Sequence, residues 1–162
     1  MPKYKKPPFD TISIVLITNV IFIILVAFFI AKLEIQVEGK DGWAKNLPTW
    51  KVNNRLTKML LREHPFTGYH LWAFLTMAIL LHFPFFLGFA WNLSLEIKII
   101  STFFLIAVLE DFLWFVLNPY FGLKKFNSKE VGWHRWIGPI PLPYIVLLAG
   151  AFLLLALNNY FL

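Results

Sequence analysis

Residues 11–31 contain no acidic, basic or histidine side chain, and that one run dictates the solvent this chain is built for. About 20 helical residues rise roughly 30 Å, the thickness of a bilayer's hydrocarbon core. Three further runs follow it. Residues 65–95 lack Lys, Arg, Asp and Glu, residues 99–117 are interrupted by a single acidic pair, and residues 137–162 carry no charge. Strands of an outer-membrane barrel would alternate apolar and polar residues, and these runs do not alternate. Each must therefore satisfy its backbone internally, as a helix. With 59% hydrophobic and 15% charged residues, there is too little polar surface for a water-soluble domain.

The expected fold is all-α: a polytopic integral membrane protein, residues 1–162 forming one domain with four transmembrane helices over about 11–31, 67–90, 98–118 and 143–162. Lys3, Lys5 and Lys6 precede the first run as they would in a secretory signal. The run is too long for a signal core and lacks a small-residue cleavage pattern, so it is expected to be retained. The chain has no cysteine, which excludes disulfides, thiolate nucleophiles and thiolate metal sites.

The formal charge of +6 is informative by location. Eleven of the Lys and Arg residues fall in segments 32–62 and 124–135, against four in the N-terminal tail and at Lys98. Lys and Arg favour the cytoplasmic side, so the two long loops are expected in the cytoplasm and the protein in the inner membrane, although the basic tail pulls the other way. The Pro-rich tail, residues 1–8, is expected along the headgroups.

Between the first two runs, Leu33, Ile35 and Val37 alternate with Glu34, Gln36 and Glu38, which predicts extended chain. Asp41-Gly42 marks a turn, and Trp43 and Trp50 suit an interfacial aromatic belt. Over residues 51–63, Val52, Leu56, Met59 and Leu60 oppose Asn53, Arg55, Lys58 and Arg62, the pattern of an amphipathic helix lying in the membrane surface. Pro65 ends it, Pro84 is expected to kink the second span, Asn118-Pro119 to stop the third, and Pro143 to open the fourth.

The acidic pair, Glu110 and Asp111, lies about 12 Å inside the third span at 1.5 Å per residue. A charge at such depth costs on the order of 3 kcal/mol, so it must face the bundle interior and find partners. The second span begins on the same side, bringing His70, with His64 just outside it; the last loop brings His134 and Arg135, and the first brings Glu38 and Asp41. Adjacent helical residues point about 100° apart, so Glu110 and Asp111 require different partners, whereas Asp111 and Asn118 share a face.

Three chemistries suit this convergence. Asp111, Glu110, His70 and His134 are candidate acid–base catalysts. A divalent metal ion is a candidate cofactor, with His64, His70, Asp111 and His134 as ligands. The acids could otherwise hold a proton or coupling ion in a small transporter. Histidines six apart in HPFTGYH do not share a helical face as metal pairs do, so joining His64 to His70 needs a bend at Pro65 and Gly68. Arg135, Asn118 and Glu38 are candidate substrate contacts. His82 lies about 18 Å along the helix from His70, too far to join them, and reads as structural.

Three of the four spans contain no histidine, which excludes haem held between helices, and no nucleic-acid motif accompanies the basic residues. The functional expectation is a small membrane enzyme acting on a lipid or other amphiphile, with membrane lipids as partners. The alternatives are a non-catalytic subunit whose acids clamp a partner helix or a second copy, and an ion- or proton-coupled transporter.

Overall fold

In the computed structural model, which describes residues 9–62 and 64–161, the elements run α1 (Phe9–Glu38), a two-residue strand β1 (Lys51–Val52), α2 (Arg55–Leu61), β2 (Phe66–Thr67), α3 (Gly68–Leu81), α4 (Phe83–Phe86), α5 (Leu93–Leu117), a 3₁₀ turn (Leu123–Lys125), β3 (Trp136–Ile137), β4 (Ile140–Pro141) and α6 (Leu142–Phe161). Among the described residues three helices, α1, α5 and α6, are long and apolar enough to cross a membrane. Their outward faces are apolar, with Leu16, Phe29 and Phe152 each more than half exposed. Lipid is the solvent such a surface requires, which marks the chain as a membrane protein.

α5 is the central helix and packs against α1, α6 and α3. On α1 the buried positions among the described side chains are Ala27, Ala31 and Ile35, four residues apart, and the two alanines let α5 approach closely. Met77 and Ile106 join Ala27 in one buried cluster, while Ile35, Trp114, Phe115, Val131 and Trp133 join Ala31 in another at the end where the loops gather.

Several boundaries differ from expectation, each for a physical reason. Residues 33–38 are not extended: α1 runs on through Glu38. Six alternating residues also satisfy a helix when every fourth position meets a neighbour, and packing of Ala31 and Ile35 onto α5 decides between them. The second apolar run does not form one kinked helix to residue 90. α3 ends at Leu81 after 14 residues, about 21 Å of rise, and Pro84 sits in the first turn of a separate four-residue helix. α5 begins at Leu93 rather than 98 because Asn92 caps it, its side chain accepting from Leu95 N at 2.9 Å.

The expected amphipathic helix over 51–63 shrinks to α2. Asn54 and Thr57 form a capping box that starts it, and Lys51–Val52 instead pairs with Phe66–Thr67. The apolar faces of Leu56, Met59 and Leu60, and the tail before Phe9, lie outside what is described. The fourth run matches, with Pro143 in the first turn of α6.

The α1–β1 loop turns tightly, with Gly42, Trp43 and Ala44 all at positive φ. Gly42 is required there: a Cβ would sit 3.0 Å from the Trp114 ring and 3.3 Å from that of Trp133. The loop is thereby pressed against α5. Asn118, at the end of α5, ties it down by donating to Gly39 O at 3.0 Å.

Candidate functional site

Where the C-terminal ends of α1 and α5 meet the N-terminal ends of α3 and α6, a cavity of about 340 Å³ opens among the helices. Its wall carries Glu34 and Glu38 from α1, His70 from α3, Glu110 and Asp111 from α5, His134 from the loop before β3, and Tyr144 from α6. Six aromatic residues, Trp43, Phe66, Phe74, Trp114, Phe115 and Trp133, and seven aliphatic ones supply the rest. Lys and Arg are absent from it.

Local structure explains each placement. Glu34 and Glu38 are one helical turn apart and so share the inward face of α1. Glu38 accepts from Ala44 N at 2.5 Å, a hydrogen bond made possible by the left-handed turn above it. His70 sits in the first turn of α3, where the capping residue Thr67 does double duty. The Thr67 hydroxyl accepts from His70 N at 3.3 Å and lies 2.6 Å from His70 Nδ1. The hydroxyl can donate to this nitrogen or accept from it, so the contact fits either neutral tautomer, and the other ring nitrogen is Nε2. That Nε2 faces Glu38 Oε1 at 3.7 Å, and the ring lies against Trp43 with centroids 4.4 Å apart.

Glu110 and Asp111 turn to different partners, as their 100° separation requires. Asp111 Oδ2 accepts from His134 Nε2 at 3.0 Å and from the Tyr144 hydroxyl. A carboxylate on Nε2–H fixes the imidazole tautomer and leaves Nδ1 with its lone pair. Glu110 shares this wall with Glu34, which accepts from the Tyr69 hydroxyl at 3.1 Å. Three polar atoms of wall residues, Glu110 Oε1, His134 Nδ1 and Trp114 Nε1, are buried with no hydrogen-bond partner. Each such atom costs about 1–3 kcal/mol when nothing occupies its vicinity.

Of the candidates named from sequence, Glu38, His70, Glu110, Asp111 and His134 share this cavity. The other three do not. His64 lies in a smaller hollow with Asp41 and Lys45, its ring 5.8 Å from that of Trp133. Arg135 is exposed. Asn118 is buried, its amide committed to Gly39 O and Tyr120 N. Among the described residues no three His, Asp or Glu side chains group as ligands of one metal ion.

Sequence reasoning missed Glu34, Tyr69, Tyr144 and Trp114. The signal for Glu34 was its spacing of four from Glu38. Trp43, expected in an interfacial aromatic belt, lines the cavity, as does Trp133.

A second, apolar groove of about 530 Å³ runs between α1, α5 and α6, and shares Val108 and Tyr144 with the polar cavity. No family model matches this chain, and neither a curated protein nor a solved structure is similar to it.

Proposed function

We propose that this chain is a small integral membrane enzyme that works by acid–base chemistry on a lipid or other amphiphile. The observation that carries the reading is the Asp111–His134 pair on the wall of a cavity that adjoins an apolar groove. Asp111 orients His134, leaving Nδ1 as the general base. Tyr144, hydrogen-bonded to the same carboxylate, positions the pair, and Glu110 with Glu34 holds the proton to be delivered. The amphiphile's head occupies the polar cavity and its tail the groove. His70 and Glu38 form the opposite wall and contact the head.

The pairwise layout of donors supports acid–base chemistry over a metal centre, because the carboxylates engage imidazole and phenol rather than converging on one point. A cavity that reaches the acids within a single chain supports an enzyme over a scaffold that needs a partner helix. In the bilayer, α3 with α4 forms the fourth, short crossing and α2 lies at the interface. The Lys- and Arg-rich loops face the cytoplasm, with exposed Arg135 at headgroup level.

The test is a comparison of lipid turnover. Purified protein in nanodiscs is incubated with a total lipid extract from its host, and lipid species are followed by mass spectrometry. The expected result is at least one species consumed by the wild-type chain and untouched by Asp111→Asn. Identical lipid profiles for wild type, variant and empty nanodiscs would remove the enzymatic reading.

A further inference from the structure

We infer that the cavity receives an organic cation, the ammonium head of a chain-bearing amphiphile; this rests on the amphiphile reading above and specifies the charge of the group that the site takes.

The wall holds four carboxyl groups and no Lys or Arg. Three of the four have donors or imidazoles to meet: Asp111 has His134 and Tyr144, Glu38 has Ala44 N and the facing His70, and Glu34 has Tyr69. Glu110 is 7% exposed and its Oε1 has no hydrogen-bond partner. An anionic head would meet carboxyls on two helices, α1 and α5, with no Lys or Arg to hold it. A bare metal cation would need several oxygens converging on one point, and the described residues do not group in that way.

Six of the thirteen remaining wall residues are aromatic and the others aliphatic, and this selects among cations. Indole and phenyl faces attract a weakly hydrated organic cation, and a buried carboxylate completes the match. Trp43 lies on this wall with its N–H taken by Pro65 O at 2.9 Å and its ring against His70, so a cation there would meet an indole whose own donor is already satisfied. Size agrees as well. A volume of about 340 Å³ lies at the small end of ligand pockets, roughly 300–1,000 Å³. It accommodates a headgroup, and the tail continues into the groove beyond Val108 and Tyr144.

Three chain-matched probes test the inference on the full-length protein in nanodiscs of neutral lipid: dodecyltrimethylammonium, dodecyl sulfate and dodecanol, each below micellar concentration, with partition into empty nanodiscs subtracted. The expected result is saturable one-to-one binding of the ammonium alone. Glu110→Gln should weaken it by about tenfold and Trp43→Leu by about fivefold, whereas Glu130→Gln, on the exposed loop, should leave it unchanged. The wild-type comparison stands even where a variant fails to fold. Equal saturable binding of dodecanol would overturn the charge preference and leave the amphiphile reading intact. Saturable binding of the sulfate alone, or of no probe, would overturn the inference, while lipid turnover separately decides whether the chain is an enzyme.

Discussion

At each end of the bundle a histidine Nε2 lies 3.0 Å from a carboxylate oxygen, His134 with Asp111 at one end and His82 with Glu96 at the other. The environments of the two pairs are opposite. His82 is saturated: Nδ1 meets Ala78 O at 2.6 Å, Nε2 meets Glu96, and the second Glu96 oxygen accepts from Trp91 Nε1. Its side chain is 33% exposed, and only a small apolar hollow adjoins it. His134 is 6% exposed, has an unpartnered Nδ1, and borders a cavity with two further orphaned polar atoms. One pair closes a helix–helix turn; the other leaves polar atoms unsatisfied beside a cavity. The distance between partners is the same in both, and satisfaction of the remaining atoms is what separates them.

The same substitution at both ends is the strongest way to break this comparison. His134→Gln keeps an amide donor for Asp111 yet removes the basic Nδ1. Lipid turnover should fall by about 10²–10⁴-fold, the usual contribution of a general base, with expression and thermal stability close to wild type. Turnover surviving within about threefold would make the His134 pair as structural as its counterpart, far below the range expected of a lost base.

Glu110→Leu sharpens the contrast from the side of stability. It deletes the orphaned Oε1 and fills the space with an aliphatic chain of similar size. The fold should gain about 1–3 kcal/mol, read as a higher apparent melting temperature at fixed scan rate, while turnover is lost. A fall in melting temperature of similar size would identify Glu110 as a clamp between α5 and α1 and favour the scaffold alternative.

The cavity itself depends on the α1–β1 loop. Gly42→Ala places a Cβ at φ +64° and 3.0 Å from the Trp114 ring. A left-handed alanine costs about 1–2 kcal/mol, and the ring must also give way. The expected outcome is a lower melting temperature with a partial loss of turnover, because Trp114 and Trp133 form the wall it presses on. Unchanged turnover would separate that loop from the working end of the bundle.

How much of this was legible in the sequence follows from which forces act locally. The meeting of Asp111 with His134, and of both with His70 and Glu38 on one cavity, follows from apolar runs that return the chain to one side. It needed no side-chain detail. Glu34 was hidden because residues 33–38 alternate as a strand would, and only Ala31 and Ile35 packing against α5 commits them to helix. Tyr144 was hidden because a tyrosine opening an apolar helix is common, and its role comes from a carboxylate 33 positions away. Trp43 reads as interfacial from sequence, yet the left-handed turn at Gly42 and Trp43 sets it on the cavity wall. The candidates that lie outside the cavity show the opposite case. Asn118 does lie on the Asp111 face of α5, but its amide is used to hold Gly39.

The smallest expected effect completes the comparison. His82→Gln removes an imidazole whose partners, Ala78 O and Glu96, lie at the turn between α3 and α5 in a partly exposed setting. Exposed ion pairs contribute about 0.2–1 kcal/mol, and glutamine restores one donor to Glu96. Melting temperature should therefore fall only slightly, and turnover and binding of dodecyltrimethylammonium should be unchanged, because no atom of this pair reaches the polar cavity. A large loss of turnover in His82→Gln would mean that the two ends are coupled through α5, and the division of labour between a satisfied pair and an unsatisfied one would no longer describe this molecule.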